Sequence, residues 1–578
     1  MPSAAYTGVF WTIPTKGSLN TYQKDWIHSV PSWSFDKTNW CWLLPIDLVT
    51  ADDLRDHGFD VIGALPPVPP APNITTDELF LPLPLEPYQL EGVEWLLRDD
   101  RRILADEPGL GKTRQMITVL FNIDAARALV VVPKAAITDP WINTLTEICG
   151  TISADRELSV TQTEGNLVTV LSSAHAKRLD GLKSGVVLTT DSALRSNEET
   201  VRRIIEWGPQ VLFYDEAHNA KNFTSRVSKT MRAIAMQTPL VYVASGTPFL
   251  KDMIELLPLF IMTKTVDLFG GLETYLDQYT YTDKWGVLKG KRSKEPTIRK
   301  LLDSDIWVRR NKSEVLPDLP AKKRRFSMID VPLDTVQVVH DAVNDRIDEW
   351  LTKFKEPPTT DEIRDWTREN VACITEMRVA AGVAKVDEVN QRVERWFEKY
   401  GSTRPLVLWG CYQDVLGPIH DHAESIGLRV GRLDGSKSKT QRSKTVVAFQ
   451  AGELDLVIAS IYAAGTAITL TRSHDVVFAE LDWTPDLMIQ AEDRCHRFGQ
   501  TETVNITSII ARGTLDEHIQ KVLQRKINFL ERSSTGDHSV VDRQVVGVRI
   551  SELLESLVVM RVADLYGRDD LYGNLELW

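Results

Sequence analysis

The sequence predicts an α/β fold: two parallel-sheet lobes, helical segments inserted between them, and a small α+β module at the front. Three observations predict it. Eight continuous apolar runs rich in β-branched residues alternate with helical stretches, beginning with ALVVV (128–132) and GVVLTT (185–190). Runs of this kind, without polar alternation, suit strands buried on both faces of a helix-covered parallel sheet. The runs form two groups, 128–245 and 405–511, which divides them between two lobes. At 578 residues, 43% hydrophobic and 25% charged, the chain also has the length for several domains and the composition of a folded protein.

Taken in order, residues 1–63 hold five of the sixteen tryptophans, Trp11, Trp26, Trp33, Trp40 and Trp42, and form the front module. A proline-rich stretch opening GALPPVPPAP follows. Proline fixes an extended backbone and is excluded from helix interiors, so 64–78 reads as a linker. The first lobe, 79–282, takes ALVVV, GVVLTT, VLFYD (211–215) and LVYVAS (240–245). Residues 283–400 join the lobes, first as a basic stretch and then with helical spacing such as VVHDAVNDRIDEWLTKF. The second lobe, 401–530, takes PLVLWG (405–410), LDLVIAS (454–460), DVVFAEL (475–481) and VNITSIIA (504–511). Residues 531–578 read as an acidic tail.

Charge and cysteine usage narrow the function. With 67 basic and 80 acidic residues the net charge is −13, which argues against a general nucleic-acid coat or a polybasic membrane binder. Against that background, residues 284–325 carry fourteen Lys/Arg and only five acids. A DNA-facing surface and a solvated linker both fit such a run. The five cysteines are scattered without a CxxC pair, which disfavours a disulfide framework or zinc ribbon and suits a reducing compartment. No apolar run reaches the ~18 residues of a membrane helix. The start, MPSAAYTGVF, lacks the basic-then-apolar order of a signal peptide.

The chemistry is concentrated in two places. ADEPGLGKT (105–113) leads into a helix, and a glycine-rich turn at a helix N-terminus presents free N–H groups and a positive dipole end to phosphates. Gly109 and Gly111 lie in the turn, Lys112 would reach the β- and γ-phosphates of a triphosphate, and the Thr113 hydroxyl would bind Mg²⁺. Position 106 is Asp where the full phosphate-loop pattern has glycine. VLFYDEAH (211–218) ends a strand in two carboxylates. Phosphoryl transfer needs an acid to hold Mg²⁺ and a group to orient the attacking water, roles that suit Asp215 and Glu216. His218 is either part of this machinery or an ordinary hydrogen-bonded core histidine.

Further motifs follow in a fixed order: LEPYQLEGVEWLL (85–97), VVVPKAAITDPW (130–141), VLTTDSAL (187–194), SGTP (245–248), WVRRNKSEVLPDLP (307–320), RLDGSKSKTQR (432–442), VIASIYAAGTAITLT (457–471) and DWTPDLMIQAEDRCHRFGQ (482–500). The series resembles the Swi/Snf-type branch of superfamily 2 helicase-like ATPases, and the stretches VPSWSFDKTNWCWLLPIDLVTADDLRDHGF (30–59), ITEMRVAAGVAKVDEV (374–389) and FAELDWTP (478–485) look nearest its annealing-helicase (HARP) branch. The resemblance implies two RecA-like lobes with ATP between them, Mg²⁺ as cofactor, and a monomeric enzyme acting on double-stranded or forked DNA, with no membrane partner. It implies that Gln89 reads adenine through an amide able to donate and accept. Arg494 and Arg497, three apart and so on one helix face, would reach the γ-phosphate as arginine fingers. Gln490 would couple the lobes, and Ser245 and Thr247 would link hydrolysis to lobe movement. Lys134, Thr189, Thr190, Gly435, Ser436 and Ser460 would contact DNA phosphates without reading sequence. Pro108 stands where Met is frequent, and Ala467 where glycine is usual.

The expected function is a DNA-stimulated ATPase that translocates on double-stranded DNA in repair, recombination or fork processing. A strand-separating helicase and a non-catalytic DNA-binding scaffold are the alternatives. The compactness of the motor suggests a bacterial or phage-encoded protein in the cytoplasm; a eukaryotic one would be nuclear. The front tryptophans either build a small core or offer rings for stacking on unpaired bases.

Overall fold

The computed structural model describes residues 2–15, 19–134, 136–145, 148, 168–171, 176–246, 253–282, 288–463, 468–524 and 550–566. The chain divides into two compact units, Met1–Val315 and Leu316–Trp578. The boundary cuts the 283–400 segment that the sequence groups as one connector: its part up to Val315 belongs to the first unit, and the rest, with the helices between Asp334 and Tyr400, to the second.

The front module is a five-stranded mixed sheet of β1 (Ser3–Tyr6), β2 (Phe10–Pro14), β3 (Ser34–Asp36), β4 (Cys41–Pro45) and β5 (Asp60–Ile62), in the order β3-β4-β2-β1-β5. Most of its tryptophans do core work. Trp11 is fully buried and donates its indole N–H to the Val49 carbonyl at 2.8 Å. Trp26, Trp33 and Trp42 pack half-buried against the same core. Trp40 alone of the five is an exposed ring, 64% accessible. The module's buried Val9, Phe10 and Ile46 run continuously into Leu194, Val201 and Met231 of the lobe behind it.

That lobe is a seven-stranded, all-parallel sheet of β6 (Arg101–Leu104), β7 (Arg127–Val131), β8 (Val168–Val170), β9 (Gly185–Thr189), β10 (Val211–Tyr214), β11 (Leu240–Ala244) and β14 (Trp307–Val308), ordered β14-β6-β11-β10-β7-β9-β8. A two-stranded hairpin of β12 (Thr280–Thr282) and β13 (Leu288–Gly290) stands apart from it. The proline stretch is a strap on this lobe. Gln210 donates to the Pro70 carbonyl, Asp124 N–H to Asn73 O, and Thr75 N–H to Asn122 O. Residues 70–75, within the expected linker 64–78, are thereby bonded to this lobe.

The second unit carries a six-stranded, all-parallel sheet of β15 (Lys322–Ile329), β16 (Leu406–Gly410), β17 (Val430–Leu433), β18 (Leu456–Ser460), β19 (Asp475–Phe478) and β20 (Val504–Ala511), ordered β15-β20-β19-β16-β18-β17. Helices Ala372–Ala384 and Val386–Tyr400 are fastened to it by buried ionic contacts. Lys385 Nζ lies 2.5 Å from Asp516 Oδ2, and Arg378 lies 3.6 Å from Asp482 and donates to the Leu481 carbonyl.

The expected acidic tail, 531–578, contains a packed helix. Residues Ile550–Tyr566 form a helix whose Leu554, Val558 and Val562 are fully buried against the helical insertion. Arg561 pairs with Asp348 at 2.5 Å. All eight apolar runs lie in the two large sheets, and among the described residues no helix is long and apolar enough to cross a membrane.

Candidate functional site in the first unit

The phosphate loop connects β6 to the helix Lys112–Phe121. Its glycines are conformationally required: Gly109 has φ 92° and Gly111 φ 77°, the left-handed region that side chains disfavour. A Cβ on Gly111 would also stand 2.4 Å from Gln89 Nε2. Lys112 is buried at the first helical position. Its ammonium is held by the carbonyls of Asp106 (2.8 Å) and Glu107 (3.3 Å), inside the curve of the loop.

The two carboxylates sit where the strand reading puts them, at the end of β10. The Thr113 hydroxyl donates to Asp215 Oδ2 at 3.2 Å, bringing together residues 102 apart in sequence. The Trp141 indole approaches the same oxygen at 3.5 Å. Burial, then the charge of Glu216, push the Asp215 carboxyl up to about 6. A buried acid beside a hydroxyl and a Lys ammonium is a fitting place for a divalent cation, which would relieve that burden. Glu216 has φ 53°, a strained conformation for a side-chain-bearing residue of the kind found at active sites. His218 is placed between two functional segments: its Nδ1 lies 3.3 Å from Glu216 Oε2 and 3.2 Å from Ser245 Oγ. Of its two readings, that position favours the machinery.

Gln89 is buried, not an exposed helix-start polar group. Its Oε1 accepts from Glu86 N–H at 3.1 Å, completing a capping box, and its Nε2 donates to the Leu110 carbonyl at 3.1 Å. The amide is thereby fixed against the phosphate loop. Pro108 packs on Gly246: a Cβ there would meet Pro108 Cγ at 2.7 Å and Lys112 Nζ at 3.0 Å. Gly246 therefore allows a close approach to the phosphate loop.

The largest omission from the sequence reading is Arg310. Asp106 departs from the glycine pattern because it is a fully buried partner for Arg310, which meets it at 2.8 Å. No local spacing announces a pair 204 residues apart.

Other expected residues fall less simply. Thr189 is buried and its hydroxyl donates to the Leu171 carbonyl at 2.9 Å. Thr190 caps the helix Asp191–Ser196 by accepting from Ala193 N–H at 3.0 Å. Lys134 is exposed at the end of β7. Thr247 and Ala467 lie outside the described residues.

In the second unit, Gly435 and Ser436 are exposed on the turn after β17, with the Ser436 hydroxyl donating to Asp434 at 2.5 Å. Ser460 is buried at the end of β18. Gln490 lies on the helix Pro485–Asp493. Arg494 and Arg497 do not share a helix face. The helix stops at Asp493, where the Cys495 N–H turns back to Glu492 O at 3.1 Å, and Arg494 is its C-cap. Arg497 donates to the Ile468 carbonyl and to the Thr469 hydroxyl at 3.0 Å.

The basic segment also resolves into parts. Lys322 and Arg324 on β15 pair with Glu492 and Asp493 at 2.6–3.2 Å. Arg309 donates to the Ala105 carbonyl. These four side chains, Arg310 included, are bonded within the fold.

Comparison with known proteins speaks to the family. Residues 88–344 match the model of the SNF2-related domain, and residues 412–499 match that of the helicase conserved C-terminal domain. The DNA annealing helicase and endonuclease ZRANB3 of Mus musculus is 30% identical over 455 residues, covering 76% of this chain and 40% of that protein. The SWI/SNF-related matrix-associated actin-dependent regulator of chromatin subfamily A-like protein 1 homolog of Caenorhabditis elegans is 27% identical over 534 residues, 88% of this chain and 73% of that protein. The chain thus spans about 40% of the length of the ZRANB3 relatives. The solved Sulfolobus solfataricus SWI2/SNF2 ATPase core in complex with dsDNA covers 83% of this chain and 98% of its own, at 20% identity and a TM-score of 0.36, a likeness too loose to argue from. With both domain models matched in order, the chain belongs to the SWI/SNF-type family of helicase-like, DNA-dependent ATPases.

Proposed function

We propose that the protein is an ATP-driven translocase on double-stranded DNA that remodels DNA or the complexes on it, in repair, recombination or fork processing. The observation that carries the reading is the Thr113–Asp215 contact beside Lys112, an arrangement that suits phosphoryl transfer. Lys112 and the loop N–H groups of Gly109 and Gly111 bind the phosphates, and Gln89 reads adenine. Thr113 and Asp215 would hold Mg²⁺, which would supply positive charge to offset the negative charge developing on the phosphate. Glu216 orients and deprotonates the attacking water, with His218 holding its carboxylate and passing its position to Ser245. Arg494 and Arg497 supply positive charge to the γ-phosphate, and Gln490 couples hydrolysis to movement.

DNA phosphates are met by Lys134 and Thr190 in the first unit and by Gly435, Ser436 and Ser460 in the second. An ATPase that steps along phosphates needs weak, salt-sensitive contacts, which a net charge of −13 permits. The relatives' names, an annealing helicase among them, favour remodelling over plain unwinding. Those relatives are animal proteins and lend no support to a bacterial or phage setting. Displacement of a triplex-forming strand from a duplex tests the reading. ATP-dependent displacement is expected, and efficient unwinding of a plain duplex without triplex displacement would favour a strand-separating helicase.

A further inference from the structure

The phosphate loop is fastened along one side by the strand on which the chain leaves the first unit. β14 pairs in parallel with β6, Trp307 opposite Ile103 and Val308 opposite Leu104. The pairing continues past both strand ends. Ala105 N–H donates to Val308 O at 2.8 Å, Glu107 N–H to Arg310 O at 3.1 Å, and Lys312 N–H to Glu107 Oε2 at 2.7 Å.

The Arg310 side chain, 11% exposed, then gathers three separate pieces of the nucleotide site. It meets both oxygens of Asp106, Nε to Oδ1 at 3.0 Å and Nη2 to Oδ2 at 2.8 Å. It donates to Gln115 Oε1 at 3.2 Å, one turn into the phosphate-loop helix, and Gln115 in turn donates to Asp106 Oδ2 at 3.0 Å. It also donates to the Tyr88 carbonyl, with its guanidinium 5.4 Å from the Tyr88 ring centre. The helix Pro87–Leu97 leaves room for it: a Cβ on Gly92 would stand 2.5 Å from Arg310 Nη2 and 1.9 Å from Gln115 Oε1. Tyr88 is the neighbour of Gln89, so the guanidinium ties the segment carrying the adenine reader to the loop carrying the phosphate readers.

We propose that Arg310 is a positioning residue for ATP: it fixes the spacing between the Gln89 end and the Lys112 end of the nucleotide site. The inference rests on the assignment of those two residues as nucleotide ligands. A planar five-donor guanidinium can serve a carboxylate, an amide and a carbonyl at once; a lysine ammonium at the same place reaches one of them. Because misplacement by about an ångström costs up to roughly a hundredfold in an oriented site, the loss should fall on ATP recognition.

The test is steady-state ATP hydrolysis with duplex DNA by the full chain, for Arg310→Lys and Arg310→Ala, with calorimetry on the same samples. In Arg310→Lys the KM for ATP is expected to rise about tenfold or more, with kcat changed much less. The preference for ATP over GTP in kcat/KM should fall in parallel. A lowered melting temperature with an unchanged KM in the folded Arg310→Lys enzyme would overturn the proposal, because a merely structural arginine moves stability alone. Gln89→Ala separates the two layers. If it keeps the ATP preference while Arg310→Lys raises KM, the adenine assignment fails and the positioning role stands on KM.

Discussion

Arg232 donates to Asp47 Oδ2 at 2.6 Å, and neither side chain reaches solvent. The contact joins the lobe helix Arg226–Met236 to the turn after β4 of the front module. Arg232 also donates to the Phe223 carbonyl at 2.8 Å and lies over the Phe223 ring. Phe223 is seven residues past Glu216, so the module is anchored close in sequence to the paired carboxylates Asp215 and Glu216. Removing one partner of such a pair strands a buried charge. Asp47→Ala is expected to cost about 3–5 kcal/mol, and the apolar pair Asp47→Leu with Arg232→Met far less. Urea unfolding of the three proteins checks this; equal costs for the single and double variants would contradict it.

The neighbouring Lys229 predicts a pH effect at the same junction. Burial, then the adjacent Arg232 charge, lower its ammonium from the usual 10.5 to about 8. Below pH 8 both folded and unfolded chains carry the proton and the burial penalty is fully felt. Between about 8 and 10.5 the unfolded chain holds the proton that the folded one has released, so stability rises with pH there. The difference in unfolding free energy between the wild type and Lys229→Met, followed from pH 7 to 10, should therefore shift in favour of the wild type as pH rises. A difference independent of pH would contradict the burial account.

Glu216 and Lys112 separate chemistry from binding. Glu216→Gln keeps the shape of the carboxylate and loses its basicity, so kcat should fall on the order of 10²–10⁴-fold with ATP binding retained. Lys112→Ala should weaken ATP binding itself. Fluorescent-nucleotide titration beside turnover measures both; loss of binding in Glu216→Gln would move that residue out of the water-orienting role.

The helix Ile550–Tyr566 is expected to be part of the second unit's stability. Ending the chain after residue 549 uncovers the apolar surface that Leu554, Val558 and Val562 fill and leaves Asp348 without Arg561. Each lost large side chain is worth about 1.5–3 kcal/mol of burial. Calorimetry should show a lower transition, with faster aggregation on heating; an unchanged transition would show the helix to be dispensable.

What the sequence makes legible follows from how local each signal is. The central strands are continuous apolar runs because both faces are covered, and the phosphate loop and DEAH carboxylates are contiguous motifs. β6 and β15 were missed because they open with charged residues that find partners far away. Arg101 donates to the carbonyls of Met262 and Ala235, and Lys322 and Arg324 pair with Glu492. Asp106 looks like a broken motif until Arg310 comes into contact with it. The one-face reading of Arg494 and Arg497 assumed that the helix continues, and three-residue spacing alone does not show where a helix ends.

The most direct measurement is the ATPase rate without DNA and with single-stranded, duplex and forked DNA, for the wild type and Lys112→Ala. A DNA-driven motor predicts low basal turnover, strong stimulation by duplex or forked DNA that collapses with added salt, and no stimulation in Lys112→Ala. Turnover equal to that of Lys112→Ala under every condition would contradict it and leave a DNA-binding scaffold.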